Sequence, residues 1–144
     1  ASWDDKQLEV DIVYNPEDFP DSLSKLIGAI KETLTHETEH WAQYFYNRPE
    51  DIKTSIQKRS NIEGLTGYEY LTLPDEIPAF VRGIYRKAKY NKQPLDVEMD
   101  DFFEDWYSNS DNPKQDMKKD KISQVKKIWI NWAKKNLPAA QFSK

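Results

Sequence analysis

The chain has 144 residues, of which 38% are hydrophobic and 13% aromatic. This length and composition suit one compact domain with a core, and the chain is too short for two ordinary domains. It contains no cysteine, so disulfides, thiolate metal ligands and cysteine nucleophiles are excluded. Its net charge of −4 argues against nucleic acid as a partner, because phosphate binding needs a basic surface.

Nothing in the sequence predicts a membrane segment or a secretory leader. Residues 1–5 lack a basic and apolar leader, and no stretch approaches ~18 uninterrupted apolar residues. We therefore expect a cytoplasmic protein with no membrane partner. No pattern predicts its oligomeric state.

The first predicted element is a strand over residues 7–14, where apolar and polar side chains alternate as in a half-buried strand. The apolar side carries Leu8, Val10, Ile12 and Tyr14. The polar character of the other side favours an edge position.

A long helix is predicted next, over residues 21–47, between breaks at Pro20 and Pro49. One face of it is apolar and consists of Leu23, Leu26, Ile27, Ile30, Leu34, Trp41 and Phe45. His36 and His40 lie about 120° from the centre of this stripe. They are therefore not core residues and belong to a polar strip that faces either a cleft or solvent.

The second half of the chain predicts three more helices. Before them, Tyr68 to Leu73 is rich in β-favouring residues and fits either a short strand or an active-site loop. A second helix is predicted over residues 75–91, with Ile77, Phe80, Val81, Ile84 and Ala88 on its buried side. Two C-terminal helices are predicted within residues 95–136, with a polar break over residues 108–113 between them, so that the last helix begins near Lys114.

The most informative motif is His36-Glu37-Thr38-Glu39-His40, which reads H-E-x-x-H and contains the only two histidines of the chain. Residues four apart share one face of a helix, so the two imidazoles can reach one tetrahedral metal ion. Glu37 and Glu39 flank the pair at about 80° to either side on an ideal helix, so geometry alone does not choose a catalytic base. The competing interpretation is a solvated face with two ordinary histidines.

A catalytic zinc site needs a third protein ligand. The extended metzincin pattern is excluded, because Gln43 and Tyr46 stand where it has glycine and histidine. The G-T-x-D motif of the aspartate-ligand zincins is not matched by residues 64–67 either. A glutamate on a following helix remains.

Glu76-Ile77-Pro78-Ala79 lies at the start of the second predicted helix, and thirty-five residues separate Glu76 from His40. Together with the H-E-x-x-H helix, it resembles the layout of the gluzincin-type zinc metallopeptidases, in particular their small single-domain members, over residues 7–90. The resemblance implies Zn²⁺ as cofactor, His36, His40 and Glu76 as its ligands, and Glu37 as general base and acid. It also implies an α+β, mostly helical, zincin-like fold, in which a small sheet packs on the H-E-x-x-H helix and on the second ligand-bearing helix.

The activity implied is hydrolysis of a peptide or protein substrate: zinc lowers the pKa of its bound water, and Glu37 takes the proton and passes it to the leaving amine. The developing oxyanion needs a further donor, for which the family uses a histidine or tyrosine. The chain has no third histidine, and the candidates are Tyr68, Tyr70, Tyr85 and Arg82.

The same residues lead to further expectations about helix packing, charge and function. Ala79 would let the two ligand-bearing helices approach closely. Thr38 and Glu39 depart from the apolar or small residues common in the family and place an additional negative charge beside the metal. The alternative functions are a non-catalytic zincin-fold binding or regulatory protein with a retained metal site, and a helical interaction module whose histidines are accidental.

Overall fold

The structure, a computed structural model, describes residues 2–4, 7–13, 15–20, 22–45, 67–108 and 119–144. Its helices are α1 (Leu23–Phe45), α2 (Gly67–Leu71), α3 (Glu76–Asn91), α4 (Leu95–Ser108) and α5 (Lys119–Asn136), with one 3-10 turn at Pro16–Asp18. Two short strands, β1 (Ser2–Asp4) and β2 (Gln7–Glu9), pair antiparallel with Trp3 opposite Leu8.

The predicted α+β fold was wrong, because the described part of the chain is a small helical domain. It contains no sheet of the kind expected against the H-E-x-x-H helix. The strand predicted over residues 7–14 is limited to Gln7–Glu9, and residues 10–13 have no regular secondary structure. A two-stranded hairpin is only marginally stable by itself. Val13, which follows the second strand, is 94% exposed, so no apolar layer covers it.

Helix α2 (Gly67–Leu71) occupies most of the segment for which a strand or loop was predicted, residues 68–73. Leu71, at the end of α2, is fully buried, and its main-chain oxygen accepts a hydrogen bond from the indole nitrogen of Trp129 at 2.9 Å. This bond satisfies a carbonyl that the helix end leaves without an intrahelical partner. Packing against α5 therefore outweighs the β-favouring composition of residues 68–73.

The second predicted helix, 75–91, is found as α3, Glu76–Asn91. It ends at Lys92, whose φ of 56° is left-handed and whose N–H bonds to the oxygen of Ala88, a common way to terminate a helix. Both C-terminal helices lie within the predicted range 95–136. The start of the last one was predicted near Lys114, which lies outside the described residues.

The core lies between α2, α3, α4 and α5. Its largest buried side chains are Leu71, Val81, Ile84, Leu95, Met99, Phe103, Val125 and Trp129. Aromatic rings dominate one end, where Phe80 stacks on Trp129 with the ring centroids 5.4 Å apart. Among the α1 side chains that the structure describes, none belongs to this buried cluster.

Helix α1 packs antiparallel on α3, with its polar strip inward. Gly28 lies near Lys87, Glu32 lies near Gly83, and Gln43 lies near Asp75. Residue numbers therefore increase along α1 in the direction in which they decrease along α3. The apolar stripe consequently points away from α3, and Leu23, Leu34 and Trp41 are 41%, 41% and 42% exposed. Within the described ranges, no helix is long and apolar enough to span a membrane.

Candidate metal centre

Three side chains from two helices converge on one point. His36 and His40 lie one turn apart on α1, and Glu76 is the first residue of α3. The two histidines are half-buried, with side chains 15% and 16% exposed, whereas the carboxylate of Glu76 is 2% exposed. Each residue offers one ligand atom, and these atoms all lie within 4.8 Å of one another.

The ligand atoms form a nearly regular triangle. Nε2 of His36 is 3.1 Å from Nε2 of His40, and Oε2 of Glu76 is 3.5 Å from the first and 3.2 Å from the second. Ligands about 2.0–2.1 Å from a tetrahedral ion lie roughly 3.3–3.4 Å from each other. The triangle therefore has the size of one face of such a tetrahedron, and the residues fit a metal ion with a fourth position left for another ligand.

The neighbours of Glu76 fix its position. Its N–H donates to the oxygen of Leu73 at 3.0 Å, so the turn into α3 is hydrogen-bonded. From α1, the side-chain nitrogen of Gln43 donates to the main-chain oxygen of Asp75 at 3.0 Å, and this bond is buried. The residue before the carboxylate is thus tied directly to the helix that carries both histidines.

Phe80, one turn after Glu76, supports the ring of His36. The two ring centroids are 4.4 Å apart with an interplanar angle of 64°, an edge-to-face contact. Because Phe80 also stacks on Trp129, the imidazole rests on the aromatic end of the core. This contact limits rotation of the ligand.

Gly83 is a residue that the sequence analysis missed. A Cβ atom there would lie 2.8 Å from the main-chain oxygen of Glu32 and 3.5 Å from Cβ of His36. Only glycine therefore permits this approach of α3 to α1. Ala79, which was expected to allow it, is fully buried. The sequence did contain a signal for this role, because Gly83 follows Glu76 by seven residues and so lies two turns along the same face of the helix.

The two glutamates of the motif have different surroundings. Glu37 lines a cavity of about 230 Å³ next to His36. Glu39 instead faces α3: its carboxylate lies 3.2 Å from Nε of Arg82 and 3.4 Å from the side-chain nitrogen of Gln43. The charge of Glu39 is thus paired within the protein, and of the two motif glutamates only Glu37 lines the cavity.

Only one of the four candidate oxyanion donors, Tyr70, lines this cavity. Arg82 pairs with Glu39 and lies over the ring of Trp132, 5.5 Å from its centroid. Tyr85 lines a separate cavity between α3 and the C-terminal segment. The ring of Tyr68 is covered by the ammonium of Lys121 at 4.7 Å.

A second polar network, also missed by the sequence analysis, begins one turn before His36. The ammonium of Lys87 lies 3.0 Å from Oε2 of Glu32 and 3.6 Å from Oε1 of Glu98, which also accepts from the amide of Asn91. Burial raises the pKa of Glu32, although Lys87 acts to lower it. Burial would lower the pKa of Lys87, but the carboxylates of Glu32, Glu98 and Asp105 outweigh it and raise that pKa.

Comparison with known proteins adds no relative to this picture. No protein family matches the chain, and no curated protein or solved structure is similar enough to count as a match. We therefore infer the function from the geometry of the site and from the motif.

Proposed function

We propose that the protein is a zinc-dependent metallopeptidase with a gluzincin-type ligand set. The observation that carries the proposal is the triangle of ligand atoms from His36, His40 and Glu76, with sides of 3.1, 3.2 and 3.5 Å. Two imidazoles and one carboxylate are a ligand set of catalytic zinc, which keeps a position open. The motif resemblance supports the activity, and the proposal does not depend on a zincin sheet.

The adjoining cavity supports a hydrolytic role. Glu37 lines it beside His36, and we propose that its carboxylate accepts a proton from water and returns it to the leaving amine. Tyr70 lines the same cavity and is the candidate donor to the oxyanion. Zinc, when bound, would supply Lewis-acid activation of water and of the scissile carbonyl.

Metal binding is tested first, on protein without a histidine tag. We expect one equivalent of zinc after loading and dialysis, and a large loss of retention in His36→Ala, His40→Ala and Glu76→Gln. Glu69→Gln is the matched control, because Glu69 is exposed on α2. Wild-type protein that retains no zinc, or equal losses in Glu69→Gln and Glu76→Gln, would contradict the assignment.

Catalysis is tested on the zinc-loaded protein with a diverse peptide library. Glu37→Gln should keep the fold and the metal but lose nearly all cleavage, because an amide cannot accept the proton. Glu39→Gln should cost far less, since Glu39 is paired with Arg82. Zinc-loaded wild-type protein without chelator-sensitive cleavage would favour the alternative, a non-catalytic metal-retaining binding protein.

A further inference from the structure

We propose that the cavity beside the metal ligands is a subsite for a cationic substrate side chain, arginine above all, and that Glu32 determines this specificity. The inference rests on the proposed peptidase function. It concerns the substrate class, which neither the motif nor the ligand triangle indicates.

The lining of the cavity is both aromatic and acidic. Phe80 and Tyr70 supply rings, and Glu32 and Glu37 supply carboxylates. Among the described residues that line it, none is a lysine or an arginine. A volume of about 230 Å³ suits one large side chain. A guanidinium can lie against aromatic faces and bind a carboxylate with its planar N–H groups, which matches this combination.

Glu32 is placed to meet such a group. It lies four residues before His36, hence one helical turn along the same face of α1. Its ion-pair partner Lys87 does not line this cavity but a larger groove, of about 740 Å³, beside it. The cation therefore does not occupy the cavity, and the carboxylate keeps capacity for further donors.

The charge balance favours an additional cation. Lys87 is shared between two carboxylates, at 3.0 Å from Glu32 and 3.6 Å from Glu98, so the three groups together carry one net negative charge. The raised pKa of Glu32 agrees with this, because it means that Lys87 does not fully offset the cost of burial. A guanidinium in the cavity would offset more of that cost.

The experiment compares paired peptides that carry either arginine or citrulline next to the scissile bond, on each side in turn. Citrulline has nearly the same shape without the charge, so the ratio of kcat/KM isolates the ionic contact. We expect zinc-loaded wild-type protein to favour arginine by about tenfold or more, the usual scale of one charge-assisted contact. In Glu32→Gln the ratio should fall close to one.

Glu104→Gln is the matched control, because Glu104 is an exposed carboxylate that lines only the larger groove. The arginine-to-citrulline ratio of kcat/KM in Glu104→Gln should equal that of the wild type. If the ratio falls equally in Glu104→Gln and Glu32→Gln, the preference comes from long-range attraction, and the role of Glu32 is overturned. Equal cleavage of arginine and citrulline peptides by the wild type would overturn the inference alone. Absence of all cleavage would overturn the peptidase function and the inference with it. The wild-type ratio by itself decides whether the subsite prefers a cation, even if Glu32→Gln does not fold.

Discussion

Gln43 donates a hydrogen bond to the main-chain oxygen of Asp75, with the two atoms 3.0 Å apart and the Gln43 side chain buried. Gln43 follows His40 by three residues on α1, and Asp75 immediately precedes Glu76. This bond therefore links the helix that carries both imidazoles directly to the start of the helix that carries the carboxylate. Mutation of residues that orient metal ligands typically lowers metal affinity by roughly 10- to 100-fold.

The Gln43→Ala variant should accordingly bind zinc about tenfold or more weakly, because the start of α3 loses its tie to α1. Loss of this buried hydrogen bond should also cost roughly 0.5–1.5 kcal/mol of unfolding free energy. Competition with a chelator of known affinity measures the first effect, and urea unfolding measures the second. Gln93→Ala, an exposed site between α3 and α4, should change neither quantity. Unchanged zinc affinity in Gln43→Ala would show that the bond does not position the site.

The sequence predicted the components of the site better than their surroundings. The spacing of His36 and His40 follows from helix periodicity, and Glu76 was placed on the second helix by the motif resemblance. The different environments of Glu37 and Glu39 could not be predicted. They depend on how α1 is rotated on α3, which is decided by contacts with Gly83 and Arg82 far away in sequence.

The fold was predicted less well, for two physical reasons. Alternation over residues 7–14 indicates an extended segment, but a sheet needs partner strands, and these are non-local contacts that the pattern does not contain. Periodicity predicts that α1 has an apolar stripe, but it does not predict which element packs against that stripe. In the structure Leu34 and Trp41 point away from α3, and the polar strip makes the helix contact.

Gly83 provides a test of the close helix approach. In Gly83→Ala the new Cβ would lie 2.8 Å from the main-chain oxygen of Glu32, so the helices must separate. We expect a loss of roughly 1–3 kcal/mol in unfolding free energy and weaker zinc retention. Gly28→Ala is the control, since its Cβ would meet Cγ of Lys87 at an ordinary 3.5 Å.

The control variant should be neutral or more stable by up to about 1 kcal/mol, because alanine is favoured over glycine within a helix. Thermal or urea unfolding of the two variants, together with their zinc content, checks the comparison. Equal behaviour of Gly28→Ala and Gly83→Ala would mean that the helix approach is not restrictive.

Tyr70 is the oxyanion candidate that the cavity favours. Tyr70→Phe should lower kcat by about 10²-fold or more with zinc content unchanged, because one hydrogen-bond donor to the transition state is lost while the ring remains. Tyr85→Phe, in the separate cavity, should retain wild-type kcat. If both variants retain full activity, the donor is another group.

The last prediction concerns pH and the attachment of the C-terminal segment to α4. The carboxylate of Asp96 accepts hydrogen bonds from the N–H and the hydroxyl of Ser143. Burial would raise the pKa of Asp96, but the two bonds from Ser143 outweigh it and hold that pKa below its usual value.

A carboxyl whose folded pKa is lowered stabilises the protein above its unfolded pKa, and this contribution is lost as the pH falls through the folded pKa. Asp96→Asn should therefore be less stable than the wild type at pH 6, by less than about 1 kcal/mol because the site is largely solvated. The difference should shrink as the pH falls below the ordinary pKa of an aspartate, roughly 3.9. Urea unfolding at pH 6 and at pH 3, combined with Ser143→Ala in a double-mutant cycle, isolates the coupling between the two residues. A difference between wild type and Asp96→Asn that stays constant from pH 6 to pH 3 would show that ionisation of Asp96 is not its source.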